Sequence, residues 1–343
     1  MTAEPGPLST FWASLSAVTA RELLWRMRGR RAFIIVTIQV ILLSLLVVGI
    51  YQFLQDRAVD ELRWQLGIDF VADVPRTLLS PASATRIGQG LFAALLVVLT
   101  FLILILAPAL TSGGISLERE KQTLELLITT PISTLGLLFG KLAASLAYLL
   151  LLIIVSIPLM SVVFVFGGVD PADVVRSYMF LFALAFGLGA FGLFMSALVG
   201  RTQAATVLSY VLVFGMTFGG LAMHTFMLVR DSDGFGPAVI RTPPEALVLL
   251  NPLVADVDLL CSALPQLGGG PCAYVAIVTG RPPEEGGRAR DTFWPRSATA
   301  YLLVGGALTV AATQLVSPTR RWGGRLGRGR RRHEGSQPLP TEP

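Results

Sequence analysis

Six stretches of this chain, 32–53, 88–112, 135–166, 177–199, 204–229 and 297–316, are apolar over 20 residues or more. A helix rises 1.5 Å per residue, so about 20 residues cover the ~30 Å hydrocarbon core of a bilayer. Inside lipid the backbone has no water to bond, which leaves helices or closed barrels as the available folds. Continuous apolar runs, rather than period-two alternation, select the helix. The expectation is an all-α membrane protein with six transmembrane helices. Charged residues make up 14% of the chain and the mean hydropathy is +0.67. Soluble domains carry roughly 25% charged residues, so the two or three soluble domains suggested by 343 residues are excluded.

The polar ends set an orientation. In residues 1–31, Leu8, Phe11, Leu15, Val18 and Trp25 recur at helical spacing, with Glu22 interrupting the stripe and Arg21, Arg26, Arg28, Arg30 and Arg31 crowding its end. That pattern predicts a basic amphipathic helix at a membrane surface; its plainer reading is an anchor with no further role. No cleavable signal is expected, since the first apolar run is too long for one. Residues 318–343 hold seven arginines between Arg320 and Arg332, then a Pro/Glu/Ser end expected to be disordered. With six spans, both arginine clusters, Lys121, Lys141 and Arg201 fall on one side, which the positive-inside rule makes cytoplasmic. Both termini are then inside a cytoplasmic membrane, and 55–87, 167–176 and 230–296 are outside. Orientation in a bilayer accounts for the net charge of +5 better than nucleic-acid binding does, and no nucleic-acid partner is expected.

Sites for chemistry are scarce. No acidic or basic side chain lies deep within the six spans, which argues against a proton relay or ion site there. His224 lies near the outer end of the fifth span and reads as an interfacial or hydrogen-bonded histidine. No metal-ligand cluster accompanies it. Gly136–Leu142 resembles a phosphate-binding loop but is one residue short between its glycines and has Leu142 where Ser or Thr is required. No nucleophile–base pair is evident. The chain is expected to be no enzyme and to bind no cofactor or metal. In the long outer loop 230–296, Val254, Val257, Leu260 and Leu264 predict a short helix after Asn251–Pro252, packed on the outer mouth of the bundle, with Asp256 and Asp258 on another face. Cys261 and Cys272 flank a Gly/Pro stretch; outside the cell a disulfide between them is one expectation, and two unpaired thiols the other. Gly187, Gly189, Gly192 and Ala197, then Gly215, Gly219 and Gly220, suit close helix packing.

The interval between the second and third runs carries the most information. Residues 113–133 begin with Gly113 and Gly114 and continue into a predicted helix over 115–130. Leu117, Leu124, Leu127 and Ile128 form its apolar side, and Glu118, Arg119, Glu120, Lys121 and Glu125 fill most of the rest. Glu118–Lys121 and Lys121–Glu125 have the spacing of helical ion pairs. Thr130–Pro131 ends the helix. It reads as a short helix presented to a partner protein.

Glu118-Arg119-Glu120, Thr123-Leu124-Glu125-Leu126-Leu127, Thr130-Pro131 and then Gly140-Lys141 opening the next span resemble the permease subunits of type-2 ATP-binding-cassette exporters. The likeness extends to the whole layout: interfacial helix, six spans, outer helical segment. It implies a permease that exports a substrate, pairs with a second permease copy, and docks a separate ATPase through residues 115–130, the coupling helix. Glu118, Arg119, Glu120, Lys121 and Glu125 would then contact the ATPase, and Gly113–Gly114 would serve as the hinge. The alternative is a non-transporting membrane scaffold or assembly protein of the same topology.

Overall fold

A computed structural model describes residues 16, 18–24, 30–66, 81–123, 134–232, 245–264, 271–279 and 293–316. Residues 18–24 form helix α1. The others are α2 (Arg30–Leu66), α3 (Pro81–Thr111), α4 (Ser116–Glu120), α5 (Thr134–Phe166) and α6 (Pro171–Leu198), followed by α7 (Thr202–Phe214), α8 (Gly220–Ser232), α9 (Pro252–Ala263), α10 (Pro271–Thr279) and α11 (Trp294–Val316). No strand occurs among the described residues. Six helices are long and apolar enough to cross a membrane, with α7 and α8 together making the fifth. The tail 318–343 and most of the first 17 residues lie outside the described set.

Several helices outrun their apolar cores. α2 continues to Leu66 and α3 starts at Pro81, so part of the expected polar loop 55–87 is helical. There Arg86 pairs with Glu61 at 3.0 Å, both exposed.

α6 is the centre of the bundle, with 72% of its most apolar window buried, against 11% for α2 and 17% for α7–α8. Its residues are short where neighbours come close. A Cβ on Gly187 would lie 2.6 Å from the ring of Tyr301, and one on Gly305 of α11 would lie 2.9 Å from Phe186. These two glycines face each other and let α6 and α11 touch backbone to backbone. Gly192 meets Pro108 and Thr111 of α3 in the same way. In the fifth span Gly215 and Gly219 have nothing within 4 Å, while a Cβ on Gly220 would lie 3.0 Å from the Leu247 carbonyl, so the small-residue stripe serves close intrachain packing in α6 and, in the fifth span, only at Gly220.

The fifth span is broken by a π-turn at Gly215–Gly219. One side chain there settles two problems. Asn251 is fully buried; its Nδ2 donates to the Thr217 carbonyl at 2.7 Å, inside the π-turn. Its Oδ1 accepts from Leu253 and Val254 amides at 3.0 and 3.4 Å, capping α9, and Pro252 sits in the first turn, where no donor is needed. α9 is thereby pinned to the fifth span. It packs against α3, α6 and α11, and both Asp256 and Asp258 are buried. The two-faced pattern is real, but its polar face turns toward other helices. Cys261 of α9 is joined to Cys272 of α10, with Cα atoms 5.7 Å apart.

Gly187→Val should force α6 and α11 apart and cost about 1–3 kcal/mol, as overpacking does in tight cores. Chemical unfolding in detergent checks this against Gly215→Val, where open space predicts no packing loss. Equal stability of the two variants would contradict the packing.

Candidate functional site

α3 does not end in a free loop. The Ser112 amide bonds the Pro108 carbonyl at 2.9 Å, the Gly114 amide the Thr111 carbonyl at 3.0 Å, and the Leu117 amide the Gly113 carbonyl at 3.3 Å. The chain turns through Gly113–Gly114 straight into α4. A Cβ on Gly114 would meet both Leu193 and the Thr111 carbonyl at 3.1 Å, so this glycine is needed for a close approach to α6. Neither glycine has positive φ.

The first amides of a helix lack internal partners. Ser196 of α6 supplies one: its Oγ accepts from Ile115 and Ser116 amides, both at 2.9 Å, and donates to Ser116 Oγ at 3.2 Å. The helix stops five residues later. Gln122 takes φ 57°, its amide bonds the Arg119 carbonyl at 3.1 Å, and the Thr123 amide bonds the Glu118 carbonyl at 3.0 Å. This is a Schellman termination, here without glycine. The expected helix over 115–130 is therefore corrected: α4 ends at Glu120 because the backbone enters the left-handed region two residues on. Leu124, Glu125, Leu127, Ile128, Thr130 and Pro131 lie outside the described residues, and with them the expected Lys121–Glu125 pair.

The charged side chains of α4 also turn elsewhere than expected. Glu118 Oε1 accepts from Lys141 Nζ of α5 at 2.6 Å rather than from Lys121, and Lys141 also donates to Glu22 of α1 at 3.2 Å. The Lys141 residue is 5% exposed. An ammonium this buried is tolerated because two carboxylates share it. Thr19 adds a bond from α1 to the Gly140 carbonyl at 3.4 Å. Glu120 reaches the start of α7, where its carboxylate accepts from the Thr202 amide at 2.8 Å and the Thr202 hydroxyl at 3.0 Å. A carboxylate there also complements the positive end of the helix dipole. Arg119 donates to the Ala197 carbonyl in the last turn of α6 at 3.4 Å. α3 joins α7 just behind, through Ser112 and Thr206 hydroxyls 2.7 Å apart.

One five-residue helix is thus bonded to α5, α6 and α7, linked to α1 through Lys141, and continuous with α3. Of the residues expected to face a partner, Glu118 is turned inward, Glu120 is exposed but bonded to Thr202, and Lys121 is exposed along with Leu117, Gln122 and Thr123. Lys141 and Ser196 were missed as site residues. Lys141 had a signal: the chain holds only two lysines among 27 basic side chains, and this one opens an apolar run. Ser196 had none, since serine in an apolar span is ordinary. Gly136–Leu142 forms the first turns of α5. His224 is buried and its Nδ1 lies 2.9 Å from the Tyr274 hydroxyl. Among the described residues no cluster of His, Cys, Asp and Glu has metal-binding geometry.

Lys141→Met would leave the Glu118 and Glu22 carboxylates facing each other without a cation. The expected loss is on the order of 2 kcal/mol, and adding Glu118→Gln should recover part of it. A double-mutant cycle by chemical unfolding reads the coupling; strictly additive effects would contradict a shared ammonium.

A family model described as "ABC-2 family transporter protein" matches residues 16–254, more than half of the chain and everything from α1 to the first turn of α9. A search of curated proteins found no match.

Proposed function

This chain belongs to the ABC-2 transporter family, and from that premise we propose that it moves its substrate outward by taking force from a separate ATPase through α4 and the exposed tip that follows it. The family and the six spanning helices make it a multi-pass membrane transport subunit. The observation that carries the finer reading is the set of ties on α4. Ser116–Glu120 is continuous with α3, bonded to α5, α6 and α7, and linked to α1 through Lys141, which Glu118 and Glu22 share. A push on this helix reaches five elements at once, which is what transmission of a partner's movement requires. The ATPase would bear on Leu117, Lys121, Gln122 and Thr123, and on residues 124–130 beyond them. Glu118 and Glu120 would act inside the permease, holding the coupling helix to α5 and α7. Gly113–Gly114 would be the joint through which α4 turns α3.

The same reading puts α4, the Gly200–Arg201 turn and both termini in the cytoplasm and α9–α10 outside. Lys and Arg near the span ends favour that orientation. The Cys261–Cys272 bridge agrees with it, because disulfides persist in oxidising compartments. A second copy, implied by the family layout, would give a complex of twelve spans. The long apolar faces of α2 and α7–α8 are the least covered and would lie against lipid or that copy.

Leu117→Asp and Lys121→Glu should cut ATPase copurification and ATP-driven transport about tenfold or more while leaving the unfolding of the permease unchanged. Glu118→Arg should instead destabilise the permease itself. Full transport and copurification in both tip variants would overturn the assignment. For the outer loop, reduction should slow the permease on denaturing gels; labelling of both cysteines without reductant would refute the bridge.

A further inference from the structure

α9 carries two carboxylates, two residues apart, in opposite circumstances. Asp258 is satisfied: its Oδ2 accepts from the Phe293 and Trp294 amides at 3.1 and 2.9 Å, at the N-terminus of α11. There the backbone amides and the helix dipole favour the anion. Asp256 is 1% exposed, and neither of its oxygens has a hydrogen bond among the described residues. Thr100 of α3 stands beside it, with a hydroxyl that is also buried and without a bond. Tyr301 of α11 is the other polar neighbour, but its hydroxyl is committed to the Leu250 carbonyl at 2.6 Å.

Among the described residues no cation offsets this burial. α3 has no charged residue from Ile87 to Thr111, and its Arg86 is exposed and paired with Glu61. On α6 the charged groups are Asp173 and Arg176, paired with each other at 2.9 Å, and the remaining titratable group is Tyr178, bonded to Ser156. On α10, Tyr274 meets His224 and Cys272 is in the disulfide. On α11, Arg296 is exposed and paired with Glu245. An unpaired carboxylate in such surroundings costs many kcal/mol, and the group takes a proton instead. Desolvation accordingly pushes the Asp256 carboxyl well above the usual carboxylate range. Three oxygens in an apolar setting are also too few to replace the shell of a calcium or magnesium ion, which takes six or more.

We propose that Asp256, beside Thr100, is a proton-binding site that governs the seating of α9 in the bundle. With the proton on, the neutral acid fits among α3, α6 and α11, and its hydroxyl has Thr100 as an acceptor within the site. When α9 shifts and water enters, the proton passes to water and the carboxylate keeps α9 from reseating until a proton returns. The proton comes from the solution at the α9 end of the bundle, so acid there favours the seated form. The sign follows from linkage. A folded-state acid that holds its proton more tightly than the unfolded chain adds stability that is full in acid, falls as pH rises above the ordinary carboxylate value, and is gone above the folded-state value. The proposal stands apart from any reading of α4 or of an ATPase.

The test uses the full chain in lipid nanodiscs. Infrared spectra at neutral pH should show an un-ionised carboxylic acid band that Asp256→Asn removes. Chemical unfolding of the wild type should weaken by roughly tenfold in the folding equilibrium per pH unit across the window between the two values. Asp256→Asn should match the wild type in acid, exceed it in alkali and lose that slope, whereas Asp258→Asn should keep it. Asp256→Leu serves as the second neutral variant if asparagine fails to fold. Parallel pH profiles with no lost band would overturn the proposal, as would a sodium-dependent stabilisation of the wild type that the neutral variants lose.

Discussion

A polar group inside lipid has no water to fall back on, and most of this structure answers to that. The backbone answers with helices. Buried hydroxyls answer by bonding back to their own helix: Thr111 to Ala107, Ser145 to Lys141, Ser209 to Ala205 and Thr309 to Gly305, all at 2.7–3.1 Å. Gln39 of α2 spends its amide on the Leu152 carbonyl of α5 at 2.8 Å, and Asn251 spends both ends of its side chain at the π-turn and the α9 cap. These bonds join elements far apart in sequence, so satisfying polarity and assembling the bundle are the same process. Several buried polar atoms are left without a partner among the described residues, the Thr100, Tyr148 and Ser297 hydroxyls included; Asp256 is the one carboxylate with both oxygens among them, and a proton can remove its charge.

The charged end of the bundle applies the same rule with larger stakes. Lys141 is buried because Glu118 and Glu22 meet it, and α1, α4 and α5 are held together by that shared ammonium. Removing one member would strand the others, which gives the junction an all-or-none character. Glu120 at the head of α7 and Ser196 at the head of α4 extend it to two further helices. In the proposed mechanism, stiffness at this junction and exposure at the tip 121–123 are complementary. The first distributes a load and the second receives it.

Some of the site is legible in the sequence alone. The glycine pair, the charge density of 118–121 and the lysine at the head of the third run mark the junction in sequence. Their partners were not legible. Glu118 and Lys121 have helical spacing, but spacing ranks only local partners, and the buried Lys141 outcompetes an exposed Lys121 because a desolvated ion pair binds more strongly than a solvated one. The end of α4 was also misplaced. Thr130–Pro131 is a strong stop signal, whereas Gln122 in the left-handed region is not a residue choice that propensity anticipates.

The sequence by itself determined the all-α class and the six spanning helices, because length and apolarity against a ~30 Å hydrocarbon layer admit one solution for each run. Tertiary structure decided what those helices do for one another. It turned the polar face of α9 inward, paired Glu118 with Lys141, and separated Asp258, satisfied at a helix N-terminus, from Asp256, which is not. Two aspartates two residues apart look alike in sequence. Their difference arises from the elements folded against them, α3 with a threonine at Thr100 and α11 with two free amides, and chain-distant contacts of that kind leave no local pattern to read.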